Sequence, residues 1–208
     1  MRQRWLFVAL LLVGACATWL LLAGPDRVLG IDAGNLGVAV LITVSWTSLI
    51  AVSRLPQDGI ETAIAPGEWR AWIAFAFTAV IAAYALVHAE AFQGPPLWKN
   101  PDAQRVGRTI ALMVIAWLIL FAVLRQRWQG RVQEDERDRE IAAKAQEWGR
   151  GALTFGVVAV AVTIGFSPPE RLQWASHPML AHLLVLTLIV GTLFEYAYSA
   201  LAYWKDRH

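Results

Sequence analysis

The 208-residue chain has one cysteine, Cys16, so it can form no intramolecular disulfide and no cysteine-based metal framework. Charge is also scarce. Asp, Glu, Lys and Arg make up 16% of the residues, against about a quarter in soluble proteins. The net charge of +2 is too small to draw the chain to nucleic acid, and no direct contact with it is expected. No Gly-rich phosphate loop, HExxH, CxxC or GxSxG occurs, so neither an enzyme nor a cofactor is implied. What is present is apolar: 57% of the residues are hydrophobic and 11 are Trp, with a mean hydropathy of +0.47. A soluble fold would have to hide this surface, whereas a bilayer accepts it directly.

Crossing the roughly 30 Å hydrocarbon layer takes about 20 mostly apolar residues. Six stretches are read as spans: 5–23, 36–53, 71–89, 109–124, 151–167 and 178–204. The expected fold class is therefore all-α, a polytopic membrane protein with six transmembrane helices in three antiparallel hairpins. It divides into an N-terminal hairpin, 1–65, and a four-span unit, 66–208. With the N-terminus in the cytoplasm, the outer side holds only Arg27, Lys99, Arg105, Arg108 and Arg171 of the 18 basic residues. That asymmetry is the one expected of cytoplasmic loops, and both termini are placed inside. Trp5, Trp69, Trp128, Trp148 and Trp204 fall at span ends, where an amphipathic ring prefers to sit. The "VGAC" at 13–16 is close to a lipoprotein cleavage box, but "ATWLLLA" after it stays apolar. An uncleaved span is expected, with Cys16 as a small packing residue.

From Glu134 to Glu140 every side chain is ionisable, and 132–146 contains neither Gly nor Pro. A charged helix is expected over 132–150. Asp135 stands four residues before Arg139, and Glu140 four before Lys144, the favourable acid-first order. Ile141, Ala145, Trp148, Ala152 and Phe155 recur at steps of four and three, one apolar face running on into the fifth span. The block reads as the wetted start of a helix that then enters the membrane. Charged helix faces mostly just solvate. The functional alternative is that Asp135, Arg137, Asp138 and Arg139 dock a cytoplasmic partner or clamp neighbouring helix ends.

"EDERDREI" followed by "KAQEWGRGALTFGVV", with "PGEWRAWIAF" at 66–75 and "TLFEYAYSALAYWKDR" at 192–207, resembles an uncharacterised bacterial inner-membrane family. That family carries a D-E-R-D-x-x-I cytoplasmic motif between two transmembrane hairpins. The resemblance covers roughly 66–208 and implies a multi-pass protein of the bacterial inner (plasma) membrane. Family members are often encoded beside small helix-turn-helix regulators, which implies a small transcriptional regulator as a partner. It implies no chemistry, because a shared fold carries none.

Polar residues at membrane depth are the remaining candidates. Glu195 lies nine residues before Trp204, about 13 Å along the helix at 1.5 Å per residue. An intramembrane carboxylate is costly and is expected to face a partner. It could hydrogen-bond another span, pair with Arg150 or Arg70, or carry protons or cations. His88, Glu90, His177 and His182 gather toward the outer side as weak metal candidates; His177 and His182 are five apart, unlike helical metal ligands. Small residues line the third span (Ala71, Ala74, Thr78, Ala82, Ala85, Ala89) and the fifth (Ala152, Gly156, Ala159, Thr163). Such stripes allow close helix approach in lipid, within the bundle or in a homo-oligomer. The expected function is a regulatory or partner-docking membrane protein, with membrane lipid as its surroundings. The alternative is a small transporter or proton/cation pathway through Glu195.

Overall fold

The computed structural model describes residues 2–24, 27–28, 30–53, 66–128 and 136–207. Asp135 and the rest of 129–135 lie outside the described residues, as do the side chains of Trp5, Trp69 and Trp128. Six α-helices are described: α1 Arg2–Ala23, α2 Ala33–Ser53, α3 Pro66–Val87, α4 Pro101–Trp128, α5 Glu136–Phe166 and α6 His177–Arg207. Between α1 and α2 a two-residue strand β1, Arg27–Val28, pairs antiparallel with β2, Ile31–Asp32. Gly30 holds φ 81° there, a left-handed conformation that glycine adopts without steric cost.

Helix starts follow from local chemistry. Pro66 and Pro101 each open a helix, where a missing N–H costs nothing. Three polar side chains cap the helices that begin at one end of the molecule. Asp32 Oδ1 accepts from Asn35 N at 2.9 Å, Asn100 Oδ1 from Ala103 N at 3.1 Å, and Ser176 Oγ from Met179 N at 3.3 Å. Two of them also tie that end together: Asn100 Nδ2 donates to Ala91 O at 2.8 Å and Ser176 Oγ donates to Phe92 O at 2.9 Å. Asn100→Ala removes both a cap and a crosslink. The expected loss is about 1–2 kcal/mol, read from denaturant unfolding of the purified protein in detergent.

One apolar cluster runs through five helices. It joins Ala17 and Leu21 of α1, Val38 and Leu41 of α2, Phe77 and Ile81 of α3, Met113 and Trp117 of α4, and Leu186 and Ile189 of α6. The α1–α2 hairpin thus shares its core with the helices from residue 66 onward. No described side chain of α5 belongs to this cluster; α5 packs on α6 and on no other helix to a comparable extent.

Six crossings were expected. Among the described residues three helices are long and apolar enough, over Arg70–Val87, Glu136–Phe166 and His177–Asp206, while Leu12–Ala23 and Ala33–Thr47 are shorter apolar runs. In α4 an uncharged run of 16 residues lies between Arg108 and Arg125, about 24 Å of helix. The outer face of α5 makes lipid the fitting solvent: Phe155 is 77% exposed and Phe166 87%. In water each would forgo about 1.5–3 kcal/mol of burial.

Three sequential hairpins were also expected. α1–α2 and α5–α6 are such pairs, but the main partner of α3 is α6 rather than α4. The stripe Ala71, Ala74, Thr78, Ala82 and Ala85 is buried to 5% exposure or less. Gly67 meets Tyr203 at one end of this stripe and the Ala85 carbonyl meets His182 at the other, so the stripe faces α6. Small side chains let the two backbones close up, and in lipid that packing is the main attraction between helices.

Candidate functional site

The charged block and the apolar segment after it are a single helix of 31 residues, α5. α5 runs antiparallel to α6, and the contacts form a ladder. Gly156 approaches Thr187, and Gly149 approaches Gly191 and Glu195. Farther out, Trp148 stacks on Tyr198 at 6.0 Å between centroids, with 20° between the planes. Tyr203 Oη then donates to Asp138 Oδ1 at 2.8 Å, and Arg137 Nε donates to Asp206 Oδ2 at 3.0 Å. The buried side of this stem is Ile141, Ala145 and Gly149.

The expected apolar face changes accordingly. Ile141 and Ala145 are buried, while Trp148 is 58% and Phe155 77% exposed. Glycine at 149 and 191 brings the backbones so close that the bulky neighbours are displaced to the flanks. A Cβ on Gly149 would lie 3.1 Å from the Gly191 carbonyl, and one on Gly191 would lie 3.2 Å from the Gly149 carbonyl. Neither glycine stood out from the sequence as functional. The spacing Gly149–Gly156 against Thr187–Gly191 is the small-residue signal that could have found them.

Of the motif side chains, Arg137 and Asp138 are engaged inside the molecule. The Arg137–Asp206 pair is half exposed on both sides, so it is worth about 0–1 kcal/mol. The Tyr203–Asp138 bond is partly buried and charge-assisted, hence stronger. Lys144 Nζ donates to Glu140 Oε1 at 2.7 Å, the helical pair expected from the spacing. Arg139, Glu140, Lys144 and Glu147 form the exposed side of the stem.

Glu195 stands against Gly149, level with Arg150. That is where α5 changes from charged to uncharged sequence. The carboxylate forms no ion pair among the described residues, although the Arg150 charge acts on it. Arg70, its other candidate partner, instead sits over the Phe121 ring at 4.3 Å. Glu195 lines an open groove of about 420 Å³ with Gln146, Arg150 and Thr192, over a floor of Gly149 and Gly191. On the opposite side of the α5–α6 seam lies an apolar groove of about 760 Å³, walled by Trp148, Phe155, Val190 and Phe194.

The polar residues at the end of the molecule that carries Asn100 and Ser176 do not converge. His182 is buried, its Nε2 lies 3.1 Å from the Ala85 carbonyl, and its ring stacks on Phe92 at 4.1 Å. His88 Nδ1, just past the end of α3, lies 3.0 Å from the Tyr84 carbonyl. Glu90 and His177 are exposed. Among the described residues no group of three or more His, Cys, Asp or Glu could hold a metal ion. A separate polar groove of about 490 Å³ is lined by Arg27, Gly30, Asp32 and Arg105 at this end. Compared with protein-family models, with curated proteins and with solved structures, the chain finds no match in any of the three.

Proposed function

We propose that this chain is a multi-pass protein of the bacterial inner membrane whose α5–α6 stem serves as a rigid cytoplasmic docking platform for a protein partner. One observation carries the reading. Arg137 and Asp138 tie the start of α5 to the end of α6, so the inward half of the D-E-R-D segment is a clamp. The clamp holds Arg139, Glu140, Lys144 and Glu147 on a fixed outward face. A preorganised charged surface loses less entropy on binding than a floppy loop would. The resemblance at 135–141 favours a small transcriptional regulator as the partner.

The same reading keeps six crossings and places both termini in the cytoplasm. Its support is that α1, α2 and α4 share one apolar core with α3 and α6. In addition, α4 turns Leu112, Ile115, Leu118 and Ile119 outward, as a lipid-facing helix does. The alternative of a proton or cation pathway draws less support, because Glu195 lines a lateral groove outside the apolar core. The outer face of α5 leaves a homo-oligomer open as a further assembly.

The test is affinity purification of the full chain in mild detergent. Arg139→Glu with Lys144→Glu turns the outward face from balanced to uniformly acidic without touching the clamp. Recovery of the partner is expected to fall by about tenfold or more, the size of a lost steering and contact term. If the double variant retains every partner, or the unaltered chain brings none, the docking reading fails.

A further inference from the structure

The 420 Å³ groove has a composition that docking of a cytoplasmic protein leaves unused. It brings one guanidinium, Arg150, and one carboxylate, Glu195, to the rim of the same open space, with the Gln146 amide and the Thr192 hydroxyl beside them. Arg150 Nε donates to the Gln146 carbonyl at 3.3 Å, which steadies the guanidinium and leaves its terminal nitrogens free to donate. The floor is glycine on both helices, so a ligand can reach the seam itself. Among the described residues α6 is the only helix that packs extensively against α5, which leaves the groove open.

Below the charges the same side of the seam turns apolar. Leu153 and Leu188 complete the groove lining. One turn farther along each helix come Val157, 43% exposed, and Leu184, 48% exposed. Opposite charges side by side, at the point where α5 becomes uncharged and above an exposed apolar track, describe one kind of molecule. It has a phosphate, an ammonium and acyl chains.

We infer that the groove between α5 and α6 binds the headgroup of an aminophospholipid, with the phosphate on Arg150 and Gln146, the ammonium on Glu195, and an acyl chain along Leu153, Leu188, Val157 and Leu184. The inference rests on the membrane reading and is independent of the docking partner. An anionic headgroup without an amine places no cation on Glu195 and brings its own negative charge beside that carboxylate. A soluble phosphoamine lacks the chain that the apolar track accepts.

The experiment is lipid retention by the full chain, purified from detergent and exchanged into nanodiscs containing equal phosphatidylethanolamine and phosphatidylglycerol, with bound lipid counted by native mass spectrometry. The ethanolamine lipid is expected to be retained over the glycerol lipid by about tenfold, what one charge-assisted hydrogen bond supplies. Glu195→Gln, which preserves shape, is expected to erase that preference, and Arg150→Gln to reduce retention of both lipids. Equal retention of the two lipids by the unaltered chain overturns the inference, whatever the variants do. So does undiminished selectivity in a monodisperse Glu195→Gln protein. Glycerophosphoethanolamine without acyl chains is the third arm, and displacement of the lipid by it at equal concentration overturns the assignment of a lipid as the occupant.

Discussion

Replacing Gly191 by leucine is expected to peel α5 away from α6. A Cβ at this position would sit 3.1 Å from the Leu153 Cβ and 3.2 Å from the Gly149 carbonyl, so the rest of the side chain has no room unless the helices part. Overpacking one such site costs about 1–3 kcal/mol. The consequence is larger here than in a soluble core, because among the described residues α6 is the only helix that packs extensively on α5 and lipid solvates its released face as well as α6 does. The measurement is crosslinking by a short bismaleimide between Asp138→Cys and Tyr203→Cys in a Cys16→Ser background, because the native Tyr203–Asp138 contact spans a full tyrosine side chain, more than a disulfide bridges. Crosslinking is expected to fall by about tenfold in the Gly191→Leu chain, the change that a loss of about 1.4 kcal/mol produces. Gly165→Leu is the control, since a side chain there meets nothing within 4 Å. Equal crosslinking in both variants would reject the glycine seam as the joint.

The second large effect is expected at the opposite end. The α3 helix ends at Val87, so Ala85 is among the last carbonyls, which have no partner within the helix. His182, 3% exposed, supplies one from α6. A carbonyl can only accept, so Nε2 carries the proton and the imidazole acts as a cross-helix cap. His182→Phe keeps the aromatic stack on Phe92 but strands the carbonyl in a dry environment. The expected loss is about 1–3 kcal/mol, the desolvation cost of an unsatisfied buried acceptor. His182→Gln, which still carries an N–H donor, should recover part of it. Denaturant midpoints in one detergent decide the matter, and equal midpoints for all three proteins would rule out the cap.

These two sites show where the sequence was informative and where it stopped. The Glu140–Lys144 pair and the small-residue face of α3 could be read because both depend on helical spacing within one element. The continuity of charge and apolar sequence in α5 was legible for the same reason. The choice of α6 as the partner of α3 was not, because it depends on which small faces match across a separation of about a hundred residues. That Trp148 and Phe155 stay exposed was hidden by the same gap: periodicity counts apolar residues, whereas the seam is built from glycines that a hydrophobic pattern ignores. The position of Glu195 on α6 could be counted from Trp204, but the charged residue beside it, Arg150, belongs to a different helix. His182 looked like a candidate ligand because a sequence does not display the carbonyl it caps.

From Glu136 to Phe166, α5 contains no proline and no break, and at 1.5 Å per residue it is about 46 Å long. A stiff rod of that length, braced along one side only, behaves as a lever. A twist applied at Arg139 has no hinge in which to dissipate before it arrives at Phe166. The glycine contact at Gly149 lies partway along, where a fulcrum would be.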